Sequence, residues 1–113
     1  MKHPLLLVAV ASYAAASLLH HAHNAMFLAE YPHMPAWITP WIVYAAWAAT
    51  TAVGVAGFFY RPLLAVYGGL GLYGLAHYLI APFSAHSMAM NVTILLEAGT
   101  AAMLLMALWR RQS

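Results

Sequence analysis

The stretch from Met88 to Trp109 reads MAMNVTILLEAGTAAMLLMALW, and Glu97 is its only charged residue. An α-helix needs about 20 apolar residues to cross the hydrocarbon layer of a bilayer. Inside that layer the backbone must satisfy its own polar groups, which a helix does. The stretch therefore predicts a transmembrane helix that carries one ionisable side chain roughly two turns from its start.

Three further apolar runs precede this one, and none of them contains Lys, Arg or Asp. Few residues of the 113 remain outside the four runs, and 65% of the chain is hydrophobic while only 5% is charged. A soluble domain needs more charged surface than that. We therefore predict one all-α integral membrane domain over residues 1–113, a four-helix bundle with up-down-up-down order. Its predicted helices cover about 4–22, 37–60, 62–81 and 88–109.

The first run has a second interpretation. Lys2, the apolar stretch that follows it and the small residues Ala14, Ala15 and Ala16 are also typical of a cleavable signal peptide. We interpret the run as a retained helix. Cleavage would leave three helices and would invert the orientation that follows.

The strong cations indicate the orientation of the bundle. All four lie at the N-terminus, at the C-terminus or between the second and third runs: Lys2, Arg61, Arg110 and Arg111. Under the positive-inside rule both termini are then cytoplasmic and the other two connections are external. We expect the plasma (inner) membrane of a bacterium, with these two loops facing the periplasm.

With that orientation, six of the seven histidines gather at the external end: His20, His21, His23, His33, His77 and His86. Neutral imidazole is the commonest metal ligand, and thioether sulfur adds a preference for soft ions such as Cu(I). The segment from His86 to Met90 combines both donor types, because Met88 lies between them. Cysteine is absent, so thiolate sites and disulfides are excluded.

The sequence therefore predicts a transition-metal site at the external end, with copper as the first candidate and zinc as the second. The function would be metal acquisition, delivery or redox use. The primary ligands would be His20, His23, His77 and His86, and a further set could complete or modulate the site: His21, His33, Met88, Met90 and Glu30. The alternative without function is that the imidazoles lie at headgroup level and the methionines fill the helix packing.

A second hypothesis is a b-type haem held by His20 and His77, since axial ligands of membrane cytochromes lie inside helical bundles. A stripe of small residues leads toward His77, and it would admit either a flat ring or a neighbouring helix: Ala65, Gly68, Gly71 and Gly74. Against haem, the external end has no Arg or Lys to pair with the propionates.

A third hypothesis is a membrane enzyme that acts on a lipid-soluble substrate, with histidines and Glu97 as acid and base. An ionisable residue within the membrane is by default a functional candidate. Its expected neighbours are Tyr13 and Ser17 of the first helix, or Tyr44 and Thr51 of the second. The second helix also carries an aromatic face, either a pocket wall or an interfacial belt: Trp37, Trp41, Tyr44 and Trp47.

The expected partner of the chain is the lipid bilayer, and a homo-oligomer or a larger membrane complex would be consistent with the small-residue stripe. Nucleic acid is excluded as a partner, because four cations make no basic patch.

Overall fold

The computed structural model describes residues 4–112, so Lys2 and the C-terminal residue Ser113 lie outside the described part. Within it, every regular element is helical. We label the four main helical segments α1 (Pro4–Met26), α2 (Pro40–Ala56), α3 (Pro62–Ile80) and α4 (Met88–Gln112). Short 3₁₀ turns at Leu28–Glu30 and Phe83–Ala85 belong to the connections on either side of the α2–α3 pair.

All four helices differ in length from the predicted runs. Helix α2 ends four residues early at Ala56, α3 ends one residue early at Ile80, and α4 continues three residues further to Gln112. Helix α1 continues four residues beyond Ala22, which places His23 and Asn24 on a helix. Helix α2 begins at Pro40 rather than near Trp37, because a proline disfavours helical backbone in the residue before it and fits the first helical position. Thr39 is accordingly extended, and its hydroxyl accepts a hydrogen bond from the amide of Ile42 at 3.4 Å.

Helix α3 is not uniform. It is α-helical over Pro62–Leu72, tightens into a 3₁₀ turn over Tyr73–Ala76 and ends as an α-helix over His77–Ile80. A 3₁₀ turn rotates successive side chains by a larger angle than an α-helix does. The turn therefore sets the direction in which the His77 side chain points.

Each of the four helices packs mainly against two of the others. Helix α4 packs against both α1 and α3, and α2 packs against α1 and α3 from the other side. Tyr13 and Tyr67 lie at the centre with ring centroids 4.5 Å apart, next to Ala101 and Leu104, and all four are almost fully buried. In the described part of the chain, this core contains no histidine.

Within residues 4–112, three helices are long and apolar enough to cross a membrane: Pro4–Met26, Pro62–Ile80 and Met88–Arg110. Helix α2 is apolar but has only 17 residues. Large apolar side chains such as Leu5, Phe59 and Leu79 face outward. This outer surface is compatible with contact to the lipid bilayer.

Candidate functional site

A cavity of about 470 Å³ lies between α1, α2 and α3, beneath the loop that joins α1 to α2. Most of its wall is apolar, and α2 supplies a large share of it through Ile42, Val43 and Ala46. The aromatic face predicted for α2 is not part of this wall. Trp37 and Trp41 are largely exposed, as expected for an interfacial belt.

One end of the cavity is polar. It is formed by side chains from three helices: His20, His21, Asn24, His77 and Glu97. Among the described residues that line the cavity there is no Lys or Arg. Helices α1 and α4 are far apart in sequence, but packing brings their side chains together, because these two helices make the most extensive contact in the bundle.

Glu97 is the centre of this polar end, and only 3% of its surface is exposed. Its Oε2 atom lies 3.6 Å from Nδ1 of His21, and its Oε1 atom lies 3.9 Å from Nε2 of His20. The Ser17 hydroxyl also faces the carboxyl group. Of the two sets of neighbours predicted for Glu97, the α1 set with Tyr13 and Ser17 is the one found here.

The two α1 histidines are held differently. Nδ1 of His21 lies 2.8 Å from the carbonyl oxygen of Ser17. A carbonyl only accepts, so this nitrogen carries the proton and Nε2 keeps its lone pair. His20 is 4% exposed, and its Nδ1 has no hydrogen-bond partner. The Oδ1 atom of Asn24 is also buried without a partner.

Imidazole rings continue from His20 toward the loop before α4. The ring centroids of His20 and His77 are 5.4 Å apart, and those of His77 and His86 are 6.1 Å apart, both in edge contact. Nδ1 of His86 donates to the carbonyl oxygen of Pro82 at 3.0 Å. The structure therefore brings three of the four predicted primary ligands into one row.

The fourth predicted primary ligand, His23, lies apart from that row. Its Nδ1 is 3.3 Å from the hydroxyl oxygen of Tyr31, and its ring contacts Phe27. Tyr31 itself is 4% exposed and packs against Met90 and Ile94.

The remaining candidate ligands are scattered. Met90 is buried in apolar packing, whereas Met88 is 76% exposed and Glu30 is on the surface. His33 is exposed at the cavity, with a φ of 57°. In the described part of the chain no group of three or more His, Asp or Glu side chains is arranged to hold a metal ion. The copper or zinc site remains a prediction.

Tyr31 is a site residue that the sequence did not single out. It lies in the α1–α2 loop, outside the membrane-spanning segments, and its ring contacts that of His77 at 5.5 Å. Burial raises the pKa of Tyr31 to about 12, although a hydrogen bond with Thr93 acts in the opposite direction. The phenol is therefore neutral at physiological pH and can both donate and accept. In the sequence, the only feature that marks Tyr31 is its position directly before Pro32.

A second network fixes the loop before α4. The Tyr78 hydroxyl donates to Oδ1 of Asn91 at 2.8 Å, and Nδ2 of Asn91 donates to the carbonyl oxygens of Phe83 and His86 at 3.2 and 3.4 Å. All hydrogen-bonding atoms of this amide side chain are thus used. The network holds His86 in place beside His77.

These features define a class: an all-helical bundle suited to a membrane, with an apolar-walled cavity that ends in a carboxyl group and imidazoles. No protein-family model, curated protein or solved structure matches the chain.

Proposed function

We propose that the protein binds a lipid-soluble small molecule in the cavity and moves a proton on its polar end. The observation that supports this proposal is the difference between the wall of the cavity and its polar end. Its wall is apolar except at one end, where Glu97 lies within 4 Å of His20 and His21 nitrogens. Small-molecule sites commonly combine a large apolar wall with a few convergent polar groups.

The size of the cavity supports a small organic ligand. A volume of about 470 Å³ lies within the roughly 300–1,000 Å³ range of ligand sites. A molecule dissolved in the bilayer would exchange one apolar environment for another on entry, so its polar group would decide where it binds. Glu97 and the imidazoles are the polar side chains that would bind this group.

The chemistry that this end supports is general acid–base catalysis. Glu97 would remove a proton from one atom of the substrate and return the same proton to a neighbouring atom, which regenerates the carboxylate. Such an isomerisation needs no oxidant, reductant or co-substrate. The contacts of 3.6 and 3.9 Å are longer than hydrogen bonds, and apo sites of this kind often tighten only when substrate is bound.

The metal and haem hypotheses have less support from the geometry. Two imidazoles that bind one haem iron stand on opposite faces of the porphyrin. The His20 and His77 rings are in edge contact with centroids 5.4 Å apart, so a haem would have to separate them. The single row of His20, His77 and His86 likewise needs rearrangement before three nitrogens converge on one ion.

The orientation belongs to the same proposal. We place both termini in the cytoplasm, with the helices in up-down-up-down order and the polar end of the cavity toward the periplasm of a bacterial inner membrane. The exposed Arg61 in the α2–α3 turn supports this orientation through the positive-inside rule.

The first experiment compares small molecules retained by the purified protein with those retained by a cavity-filling variant. Ala46 lines the cavity, so Ala46→Phe places a ring inside it. Ala49 lies on the same helix, is exposed and does not line the cavity, so Ala49→Phe is the matched control. Native mass spectrometry of protein in nanodiscs should show a bound small molecule in wild type and Ala49→Phe, and none in Ala46→Phe.

Glu97→Gln tests the acid–base step separately. In this variant, conversion of the molecule, measured at a saturating concentration, should fall by about 100-fold or more. Equal retention in Ala46→Phe and Ala49→Phe would contradict the cavity proposal. Elemental analysis of the same samples tests the alternative: stoichiometric copper or zinc that is lost in both His20→Ala and His77→Ala would establish the metal site instead.

A further inference from the structure

We propose that the cavity selects a lipophilic amine, whose nitrogen is seated against Glu97. This inference rests on the proposed binding function and adds the chemical class of the ligand. Two observations support it: buried hydrogen-bonding atoms lie at the polar end of an apolar cavity, and the described residues of the lining include no Lys or Arg.

The polar end contains buried side-chain atoms that no neighbour satisfies. The Oδ1 atom of Asn24 and the Nδ1 atom of His20 are both buried and have no hydrogen-bond partner. Both side chains line the cavity and are more than nine-tenths buried. We assign the proton of His20 to Nε2, the nitrogen nearer Glu97, and Nδ1 is then an acceptor. Buried polar atoms are normally paired, so these two indicate a missing donor.

Glu97 has the Ser17 hydroxyl beside it, but among the described residues no basic side chain lies within hydrogen-bonding distance of its carboxyl group. The Nδ1 proton of His21 is directed to the Ser17 carbonyl at 2.8 Å, which leaves the 3.6 Å contact with Glu97 too long for a hydrogen bond. The 3.9 Å contact from His20 is longer still. A buried carboxylate without a close cation is costly, and within a membrane it is usually paired.

An amine meets these requirements together. A neutral amine arriving from the bilayer can take the proton of the Glu97 carboxyl group, so that an O–H bond breaks and an N–H bond forms. An ammonium ion that meets a carboxylate gives the same ion pair. The ammonium then has three protons to donate, and the receiving atoms are on Glu97, Asn24 and His20.

Other polar groups fit less well. A fatty acid would bring a second anion to Glu97 with no Lys or Arg in the lining to offset it. An alcohol supplies one donor but no charge.

Gly74 also matters here, because a Cβ atom at that position would lie 2.9 Å from Oε1 of Glu97. The absent side chain leaves the carboxyl group accessible from α3.

The test uses four probes with the same chain length: dodecylamine, dodecanol, dodecanoic acid and dodecane. Binding to the full-length protein in nanodiscs is measured by native mass spectrometry, with empty nanodiscs as the blank. Dodecylamine should bind at least about tenfold more tightly than dodecanol, and the acid and the alkane should bind more weakly than dodecanol. Tenfold corresponds to about 1.4 kcal/mol.

Variants then assign the preference to residues. Glu97→Gln should lower dodecylamine affinity to that of dodecanol, while Asn24→Leu should weaken both probes. Glu30, the other acidic residue, is exposed and lies outside the cavity lining, so Glu30→Gln should change nothing. If Glu97→Gln fails to fold by circular dichroism, Asn24→Leu still tests the donor requirement.

The outcomes separate this inference from the function on which it rests. Equal binding of all four probes, abolished by Ala46→Phe, would keep the cavity function and overturn the amine preference. Tighter binding of dodecanol or dodecanoic acid than of dodecylamine would also overturn it. Failure of every probe to bind would overturn the cavity function itself.

Discussion

At the scale of single residues, Glu97 could be recognised as a functional candidate from sequence, because an ionisable side chain inside an apolar run is energetically unfavourable. Its environment could not be chosen in the same way. The sequence allowed partners on either the first or the second helix, and the structure places Ser17 and His21 of α1 beside it. That choice depends on how α1 and α4 are rotated about their axes, which local sequence does not encode.

His33 provides a residue-scale prediction. Its φ of 57° lies in the left-handed region, where an L-residue with a side chain loses roughly 1–2 kcal/mol relative to glycine. Because a β-branched side chain tolerates this conformation poorly, His33→Val should lower the free energy of unfolding by about that amount. His33→Gly removes this strain but adds conformational entropy to the unfolded chain, about 0.5–1 kcal/mol, so the free energy of unfolding should rise by less than about 1 kcal/mol. Thermal unfolding in detergent would measure both.

Ala36 is the matched control for His33. It lies in the same loop, is exposed and has no positive φ. Ala36→Val and Ala36→Gly should therefore both have small effects. A His33→Val variant as stable as wild type would show that the loop does not need the left-handed residue.

At the scale of elements, the small-residue stripe of the third helix could be predicted, but not what it contacts. The sequence allowed a flat cofactor or another helix. In the structure, helices α1 and α4 pack against the stripe at Gly71. A Cβ atom on Gly71 would lie 2.5 Å from Cβ of Ala101 and 2.5 Å from Cε1 of Tyr13. Ala65, assigned to the same stripe, is exposed.

Gly71→Ala should therefore destabilise the bundle. The added methyl group would force α3 away from α1 and α4, and overpacking of this kind costs about 1–3 kcal/mol. Gly69 lies two residues earlier on the same helix, and a Cβ atom there would meet nothing within 4 Å. Gly69→Ala should therefore be neutral or slightly stabilising, since alanine favours helix by about 0.5–1 kcal/mol over glycine.

Chemical denaturation in mixed micelles would compare the two glycine variants directly. If both variants lost the same stability, the effect would come from helix flexibility rather than from the close approach of Gly71 to its neighbours.

At the scale of the whole molecule, the proposed orientation can be tested because the chain has no cysteine. Ala36 in the α1–α2 loop and Phe59 near the α2–α3 turn are both exposed, so each can carry a single cysteine without disturbing the core. A membrane-impermeant maleimide should label Ala36→Cys in intact cells. Phe59→Cys should react only after the membrane is opened. The reverse pattern would invert the orientation, as cleavage of the first run would.

The sequence by itself determined the all-helical class and the approximate position of each segment, because these follow from apolar length and from the lack of charged residues. It also identified histidines and Glu97 as unusual in such a setting. Of the helix bounds that differ from the prediction, the start of α2 follows a local rule, since Pro40 and Thr39 fix it.

Only the tertiary structure decided which polar side chains meet. It brought His20, His77 and His86 into one row, left His23 with Tyr31, and separated Met88 and Glu30 from the others. It also formed the cavity beside Glu97. The physical reason is that residues distant in sequence are brought together by the rotation and close approach of packed helices. In this chain those depend on contacts such as Gly71 against Tyr13 and Ala101.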